Sequence, residues 1–217
     1  MTQSPAPERC TENQRLLISL CDYSGAWSRP YSLAGYRVIR VDTGHPPGES
    51  IADDGATLIG ADVRTWTPPE QPYAVLAAPP CTTFCRAGAR WWPRHLTDGT
   101  TERDVEVFRA CVRIARTATA WHAIENPPGR HPALLPELCK PSWMFQPWEY
   151  GDPWGKQTYI WGSAIKPPVV APVTPAPTRR TPNGKTQGRI AFMSSSQQRE
   201  RSETPGGFAA AFFLVNR

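Results

Sequence analysis

Apolar residues in this chain come in short runs, each closed by glycine, proline or an acid. Leu16-Leu17-Ile18-Ser19-Leu20-Cys21 predicts a buried strand that ends at Asp22-Tyr23-Ser24-Gly25. A short helix over Trp27–Ala34 follows, started or interrupted by Pro30. Tyr36 to Asp42 reads as a second strand with an acid at its end, and a Gly/Pro-rich loop comes next. Ala56–Ile59 is a third strand before Gly60-Ala61-Asp62, and Tyr73–Ala78 is a fourth that runs straight into Pro79-Pro80-Cys81. Residues 101–120 carry a helical stripe of Val105, Phe108, Cys111, Val112, Ile114 and Ala115, with Thr101 and Asp104 at capping-box spacing. His122 to Asn126 and Gln157–Trp161 are further strands. Residues 166–182 are proline-rich and predict a loop or extended linker, and Phe208–Val215 is a helix or strand whose apolar density suits a packed helix.

Strands alternating with a helix predict an α/β protein with a mostly parallel sheet flanked by helices. In such sheets ligands bind beyond the carboxyl ends of the strands. Five successive ends carry polar or reactive groups: Asp22-Tyr23-Ser24-Gly25, Asp42, Asp62, Pro79-Pro80-Cys81 and Glu125-Asn126. That recurrence says more than any one of them.

Composition narrows the class. The 217 residues predict one domain with appendages, and 40% hydrophobic residues supply a core. Twenty-five prolines argue against a helical bundle. No apolar run reaches the roughly 18 residues of a membrane helix, and residues 1–14 are polar, so the expectation is a soluble, cytoplasmic protein that contacts no membrane. Six cysteines without finger-like histidine spacing argue neither a disulfide framework nor a zinc site, and no metal is implied. The net charge is +5, and residues 164–217 hold eight Lys/Arg against two Asp/Glu, so the positive excess lies in the last quarter. Such a region either attracts phosphate or is a solvated tail.

Asp42 at the end of the second strand is a natural acceptor for ribose hydroxyls, and Asp62 for an adenine amino group; either acid also caps a turn. Two prolines present Cys81 rigidly, as a nucleophile or as an inert buried thiol. Glu125 ends the neighbouring strand, where an apolar setting raises a carboxyl pKa; the alternative is a hydrogen bond to a loop. Arg86, Arg90, Trp91, Trp92 and Arg94 follow the cysteine, a mixture that suits phosphate and base stacking, or core packing for the tryptophans. Cys85 reads as a small buried residue or as an assisting thiol.

In this order along the chain, the pieces resemble the cytosine-C5 DNA methyltransferase family. Asp22-Tyr23-Ser24-Gly25 is similar to its methyl-donor loop, and Asp42 and Asp62 to its ribose and adenine contacts. Ala78-Pro79-Pro80-Cys81-Thr82-Thr83-Phe84 resembles its nucleophile loop, Ile124-Glu125-Asn126-Pro127 its Glu-Asn loop, and Ser202-Glu203-Thr204-Pro205 its last motif. The resemblance spans Leu16 to Val215 and implies a Rossmann-like class I methyltransferase fold that binds S-adenosylmethionine. It implies a donor site of Asp22, Tyr23, Ser24, Gly25, Asp42, Asp62 and Pro79, and catalysis by Cys81, Glu125 and Asn126. Pro80, Arg86, Arg90, Lys156 and Thr158 would meet the substrate. The implied reaction adds the Cys81 thiolate to C6 of a flipped cytosine, steadies the ring through Glu125, and methylates C5.

Two departures shape the substrate expectation. Lys156-Gln157-Thr158-Tyr159 stands where the family carries two arginines on a strand. The family also inserts a recognition domain, whereas here residues 1–14 are a flexible lead-in, 15–163 the catalytic core, 164–200 a proline-rich basic linker too short for such a domain, and 201–217 a segment packing on the core. The substrate is then DNA, read with little sequence preference or with help from a protein partner, or else a free pyrimidine nucleotide. A third reading is a silent nucleic-acid-binding protein, against which the intact Cys81 and Glu125 argue.

Overall fold

The computed structural model describes residues 15–175, 179–180, 186–187 and 202–217. The lead-in over 1–14 and most of the basic stretch of 176–201 lie outside the described residues. Five strands come first: β1 (Leu16–Leu20), β2 (Arg37–Val41), β3 (Gly48–Ile51), β4 (Thr57–Gly60) and β5 (Ala74–Ala77), with α1 (Arg29–Leu33) between β1 and β2. Then follow α2 (Trp92–Thr97), α3 (Thr100–Ala115), β6 (Trp121–Asn126), α4 (His131–Leu134), β7 (Trp143–Phe145) and β8 (Thr158–Gly162). A two-stranded antiparallel ribbon of β9 (Arg179–Arg180) and β10 (Thr186–Gln187) precedes the closing helix α5 (Gly206–Val215).

The main sheet has the order β3-β4-β2-β1-β5-β6-β8-β7. β4, β2, β1, β5 and β6 are parallel throughout, with Leu16 opposite Arg37, Leu17 opposite Ala74 and Ala77 opposite Ile124. β8 enters antiparallel between β6 and β7, and β3 adds an antiparallel edge on β4. From β1 the chain winds outward through β2 to β4; from β5 it winds the other way to β6. The reversal opens a crevice at the carboxyl ends of β1 and β5, the place where a doubly wound sheet takes ligands. The expected Rossmann-like, mostly parallel α/β fold is the one that forms.

Strand alternation assigns the two cores. Leu16, Ile18 and Leu20 of β1 pack with Val105, Phe108, Cys111 and Ile114 of α3 on one face. Leu17 faces the other way, into a cluster with Trp27, Tyr31 and the α5 residues Phe208 and Phe212. Both phenylalanines are fully buried, which contributes about 1.5–3 kcal/mol each. Phe208 lies flat on Phe145 of β7, with ring centroids 3.6 Å apart at 6°. A Cβ on Gly207 would overlap the Tyr150 carbonyl oxygen, so only glycine lets α5 approach that closely. Asn216 fastens the helix end: its side chain accepts from Ile165 N at 2.7 Å and donates to Ile165 O at 2.9 Å.

The structure corrects several local expectations. There is no Thr101–Asp104 capping box: α3 starts at Thr100 after Gly99, which has φ +78°, and Asp98 accepts from the Thr100 N–H instead. Starting one residue earlier puts both Thr101 and Asp104 on the buried side. The helix stops at Ala115, not 120, because Thr119 and Ala120 already donate to Pro72 and Tyr73 as the chain enters the sheet. The Gly/Pro-rich loop after β2 contains β3, and the proline-rich stretch contains β9. The closing segment is a helix packed on the core. No helix among the described residues is long and apolar enough to cross a membrane.

Candidate active site

Ala78 still donates to Leu20 O, extending the β5–β1 ladder by one residue. Pro79 and Pro80 have no N–H, so the ladder ends there and the chain leaves the sheet edge. Cys81 O then accepts from Phe84 N at 2.9 Å and Cys85 N at 2.8 Å. That closes one helical turn, which sets Cys81 and Cys85 on the same side of it. Cys81 is half-buried and Cys85 is 9% exposed. Hydrogen bonding to Cys85, then burial, holds the Cys81 thiol well above its usual range. Cys85 is pulled down to about 6, first by the Cys81 thiol and then by the N–H groups of Gly88 and Ala87. They open the 3-10 turn Arg86–Trp91, whose cap is Cys85.

Glu125 and Asn126 end β6, directly beside β5. The Glu125 carboxyl is 8% exposed and has no hydrogen-bond partner among the described residues. Burial pushes its pKa up, against a smaller opposing pull from Lys156. Glu125 and Lys156 also act on Cys81, in opposite directions, so the structure brings the three groups within one another's field. Asn126 is fully buried, and its Nδ2 donates to Pro79 O at 2.8 Å. The predicted trio therefore meets at one edge, with Asn126 holding the loop that carries Cys81.

Residues 129–131, which sequence reasoning passed over, clamp that loop from the other side. Gly129 bridges Cys85, and a Cβ there would overlap the Phe84 carbonyl oxygen. Arg130 N donates to the same oxygen at 3.0 Å, while its Nε donates to Thr83 O at 2.9 Å. Its guanidinium lies 4.4 Å from the Trp92 ring centroid. His131 Nε2 stands 3.0 Å from Asn126 Oδ1.

At the other half of the crevice, the ends of β1, β2 and β4 converge: the charges of Asp42 and Asp62 both act on Cys21, and Cys21 Sγ lies 3.9 Å from Cys111 Sγ. Asp42 Oδ1 accepts from Gly44 N at 2.7 Å, which leaves its second oxygen for a ligand. Tyr23 is 44% exposed and stacks on His45 at 5.3 Å. His45 is buried with Nε2 unpartnered among the described residues. Two of the residues expected at a donor site have protein partners of their own. Asp22 is buried, with Oδ2 accepting from Ser19 Oγ at 2.7 Å and Ser28 Oγ at 2.6 Å, so it braces the loop from beneath. Asp62 is held by the Arg64 guanidinium through both oxygens, with Nε 3.1 Å from Oδ1 and 2.9 Å from Oδ2, and its side chain stays 32% exposed. Ser24 Oγ accepts from Ala26 N at 3.3 Å, and Gly25, at φ +71°, lies where a Cβ would meet the Arg40 guanidinium. Arg40 itself is buried, donates to Ser28 Oγ at 2.8 Å and pairs with buried Asp54.

Of the residues expected to meet substrate, Pro80, Arg86 and Arg90 are exposed beside the cysteine turn, and Arg90 covers the half-exposed Trp91 at 4.9 Å. Arg94 and Leu96 extend this exposed rim along α2. Lys156 is half-buried, whereas Thr158 is buried with its hydroxyl on Lys156 O at 2.9 Å. Thr158 therefore shapes the start of β8 and is not an open contact.

Fold and site together define a Rossmann-like α/β protein with a cysteine and a buried carboxylic acid on adjacent strand ends, next to a second set of acids at the crevice. No family model and no curated protein matches the chain. Among solved structures it is similar to magnesium protoporphyrin IX methyltransferase (ChlM) from Synechocystis PCC 6803 with bound SAM. The identity is 11%, over 68% of each chain, with a TM-score of 0.41. It is also similar to Thermoplasma acidophilum 1320, at 16% identity over 68% of this chain and 77% of that one, with a TM-score of 0.39. For the DhpI–SAH complex the values are 15% identity, 76% and 63% coverage, and a TM-score of 0.32.

Proposed function

We propose that this protein is an S-adenosylmethionine-dependent methyltransferase that methylates C5 of cytosine in DNA through a covalent cysteine adduct at C6. The observation that carries the reading is the pairing of Cys81, on a proline-fixed turn after β5, with the unpartnered buried carboxyl of Glu125 at the end of β6. Asn126 ties the two strand ends together through Pro79 O.

The donor set suits a ribose-bearing cofactor: the open oxygen of Asp42 accepts from hydroxyls, and the orphaned Nε2 of His45 lies on the same loop. S-adenosylmethionine would supply an electrophilic methyl on a sulfonium. The chain's own residues do the rest. Cys81 gives its proton to the Cys85 thiolate, and its sulfur adds to C6. Glu125, whose neutral acid form burial favours, donates to ring N3, so the charge from addition is neutralised where it develops. C5 is then enamine-like and takes the methyl. The N3 proton then returns to Glu125, and loss of the C5 proton to a base restores the C5–C6 double bond and expels the Cys81 thiolate. The exposed Arg86, Arg90, Trp91 and Arg94 beside the nucleophile favour a polymer substrate over a single nucleotide, since they offer several phosphate and stacking contacts. The short interval between β8 and α5 favours the second reading, a free cytosine nucleotide, because it holds no room for a recognition domain.

The deciding experiment supplies labelled donor with duplex DNA, single-stranded DNA, RNA and each free pyrimidine nucleotide in parallel. Label should enter cytosine C5 in DNA, and Cys81→Ala should abolish transfer while donor binding survives. Undiminished turnover in C81A overturns the mechanism, and label only in free nucleotide moves the substrate to the second reading.

A further inference from the structure

Resting on the reading of Cys81 as nucleophile, we infer that His131 is a positioning residue for it, acting through Asn126 on the backbone of the proline turn. The path has two hydrogen bonds. Pro79 O only accepts, so the Asn126 group facing it at 2.8 Å is the amide N–H. Asn126 Oδ1 then faces His131, and Nε2 at 3.0 Å must carry the hydrogen. That tautomer locks the amide the right way round. If the amide flipped, its N–H group would face His131 and an oxygen would face the Pro79 carbonyl, two acceptors in a dry site. Asn126 is 0% and His131 3% exposed, so water cannot repair either contact.

The imidazole is held too firmly to be a bystander. It lies flat on Phe84, centroids 4.7 Å apart at 6°, with Phe108 edge-on at 5.7 Å and Trp161 tilted at 5.0 Å. Phe84 belongs to the cysteine turn and Phe108 to α3. The ring therefore touches the turn by stacking and steers it by hydrogen bond. Burial pushes its pKa down to about 4, which keeps it a neutral donor at working pH.

The test compares His131→Phe, which keeps a flat ring but no donor, with His131→Gln, whose amide N–H falls near the place of Nε2. Four quantities are read: the thermal melt, donor affinity, kcat and KM on DNA, and the rate at which iodoacetamide alkylates Cys81, with exposed Cys139 as internal standard. H131F should fold and bind donor normally, lose kcat roughly 10- to 100-fold with little change in KM, and alkylate at Cys81 at an altered rate. H131Q should recover most of kcat and the wild-type alkylation rate. A wild-type kcat in H131F, or equal loss in H131Q, overturns the inference. If wild-type protein transfers no methyl to any pyrimidine, the proposed function fails and the alkylation rates alone decide: changed by Phe and restored by Gln supports the positioning role, unchanged rates refute it. Should H131F not fold, His131→Asn replaces it, because the shorter amide cannot reach Asn126; Gln and Asn variants of equal activity refute the role.

Discussion

Replacing Gly129 by alanine adds one methyl group at the tightest point beneath the cysteine turn. A Cβ there would overlap the Phe84 carbonyl oxygen, sit 2.6 Å from its carbon and stand 3.0 Å from Cys85 Cα. All three are backbone atoms, so no side chain can swing aside to make room. Gly129 is also fixed by its bridge to Cys85, and the Phe84 oxygen by the Arg130 N–H. Relief therefore requires a backbone shift of well over an ångström, the difference between overlap and ordinary contact. Phe84 and Cys85 donate to Cys81 O, so a shift at 84–85 travels to the nucleophile. A displacement of that size costs about 10²-fold in rate and about 1–3 kcal/mol in stability. Single-turnover methyl transfer measures the first and urea unfolding the second, while calorimetry checks that donor binding, on the other side of the crevice, is unchanged. Gly206→Ala is the control, since a Cβ there meets nothing. A wild-type single-turnover rate in folded G129A would falsify the claim that this contact sets the cysteine turn.

Three further changes address separate parts of the structure. Glu125→Gln should cut transfer by roughly 10²-fold or more yet stabilise the fold at neutral pH. Its folded pKa is raised, so the wild type binds more protons folded than unfolded and loses stability as pH rises from 4.5; urea melts from pH 4 to 8 that keep this slope in E125Q refute the assignment. Cys85→Ser should move the acidic limb of the pH–rate profile upward from about 6, because Cys81 then has no thiolate to take its proton; an unmoved limb removes Cys85 from the mechanism. Asp54→Asn leaves buried Arg40 without its counter-ion and should cost about 3–5 kcal/mol, with the Arg40→Met/Asp54→Leu double variant less damaged than D54N; a single variant as stable as wild type would show that the pair does not support the donor loop.

Strands were legible where an apolar run is buried on both faces. β1 and β5 are covered by α3 on one side and by α1 and α5 on the other, so every position is apolar or small and the run stands out, while β6 shares that cover at Trp121, Ala123 and Ile124 and ends on Glu125-Asn126. β3 and β7 lie at the two edges of the sheet. Gly48 and Glu49 of β3 and Met144 of β7 face solvent, and an edge strand with one working neighbour leaves no such run to read. The capping error on α3 has a related origin. Thr101 and Asp104 have the right spacing, but register is decided by which face must be buried, and Phe108, Cys111 and Ile114 fix that face.

The site divides in the same way, according to whether a residue acts from a strand end or through the backbone of a distant loop. Cys81, Glu125, Asn126 and Asp42 each stand where a parallel strand leaves the sheet, and sheet topology alone brings such ends together. Asp22 and Asp62 occupy equivalent ends, where nearby hydroxyls bond Asp22 Oδ2 and Arg64 bonds Asp62. Strand-end position thus states where a carboxylate is, while its local donors decide whether it is open to a ligand. Gly129, Arg130 and His131 act on carbonyls 45 or more positions away or through Asn126. A glycine needed for its missing Cβ leaves no local pattern, and a histidine that donates to one asparagine has no motif. Their one shared signal is the Pro127-Pro128 pair just before them, which fixes the direction in which the chain leaves β6. That direction lays residues 129–131 against the cysteine turn. The two proline pairs, 79–80 and 127–128, therefore do matching work: each ends a central strand and hands a rigid loop to the other, so that nucleophile and acid are set by two stiff exits from one sheet.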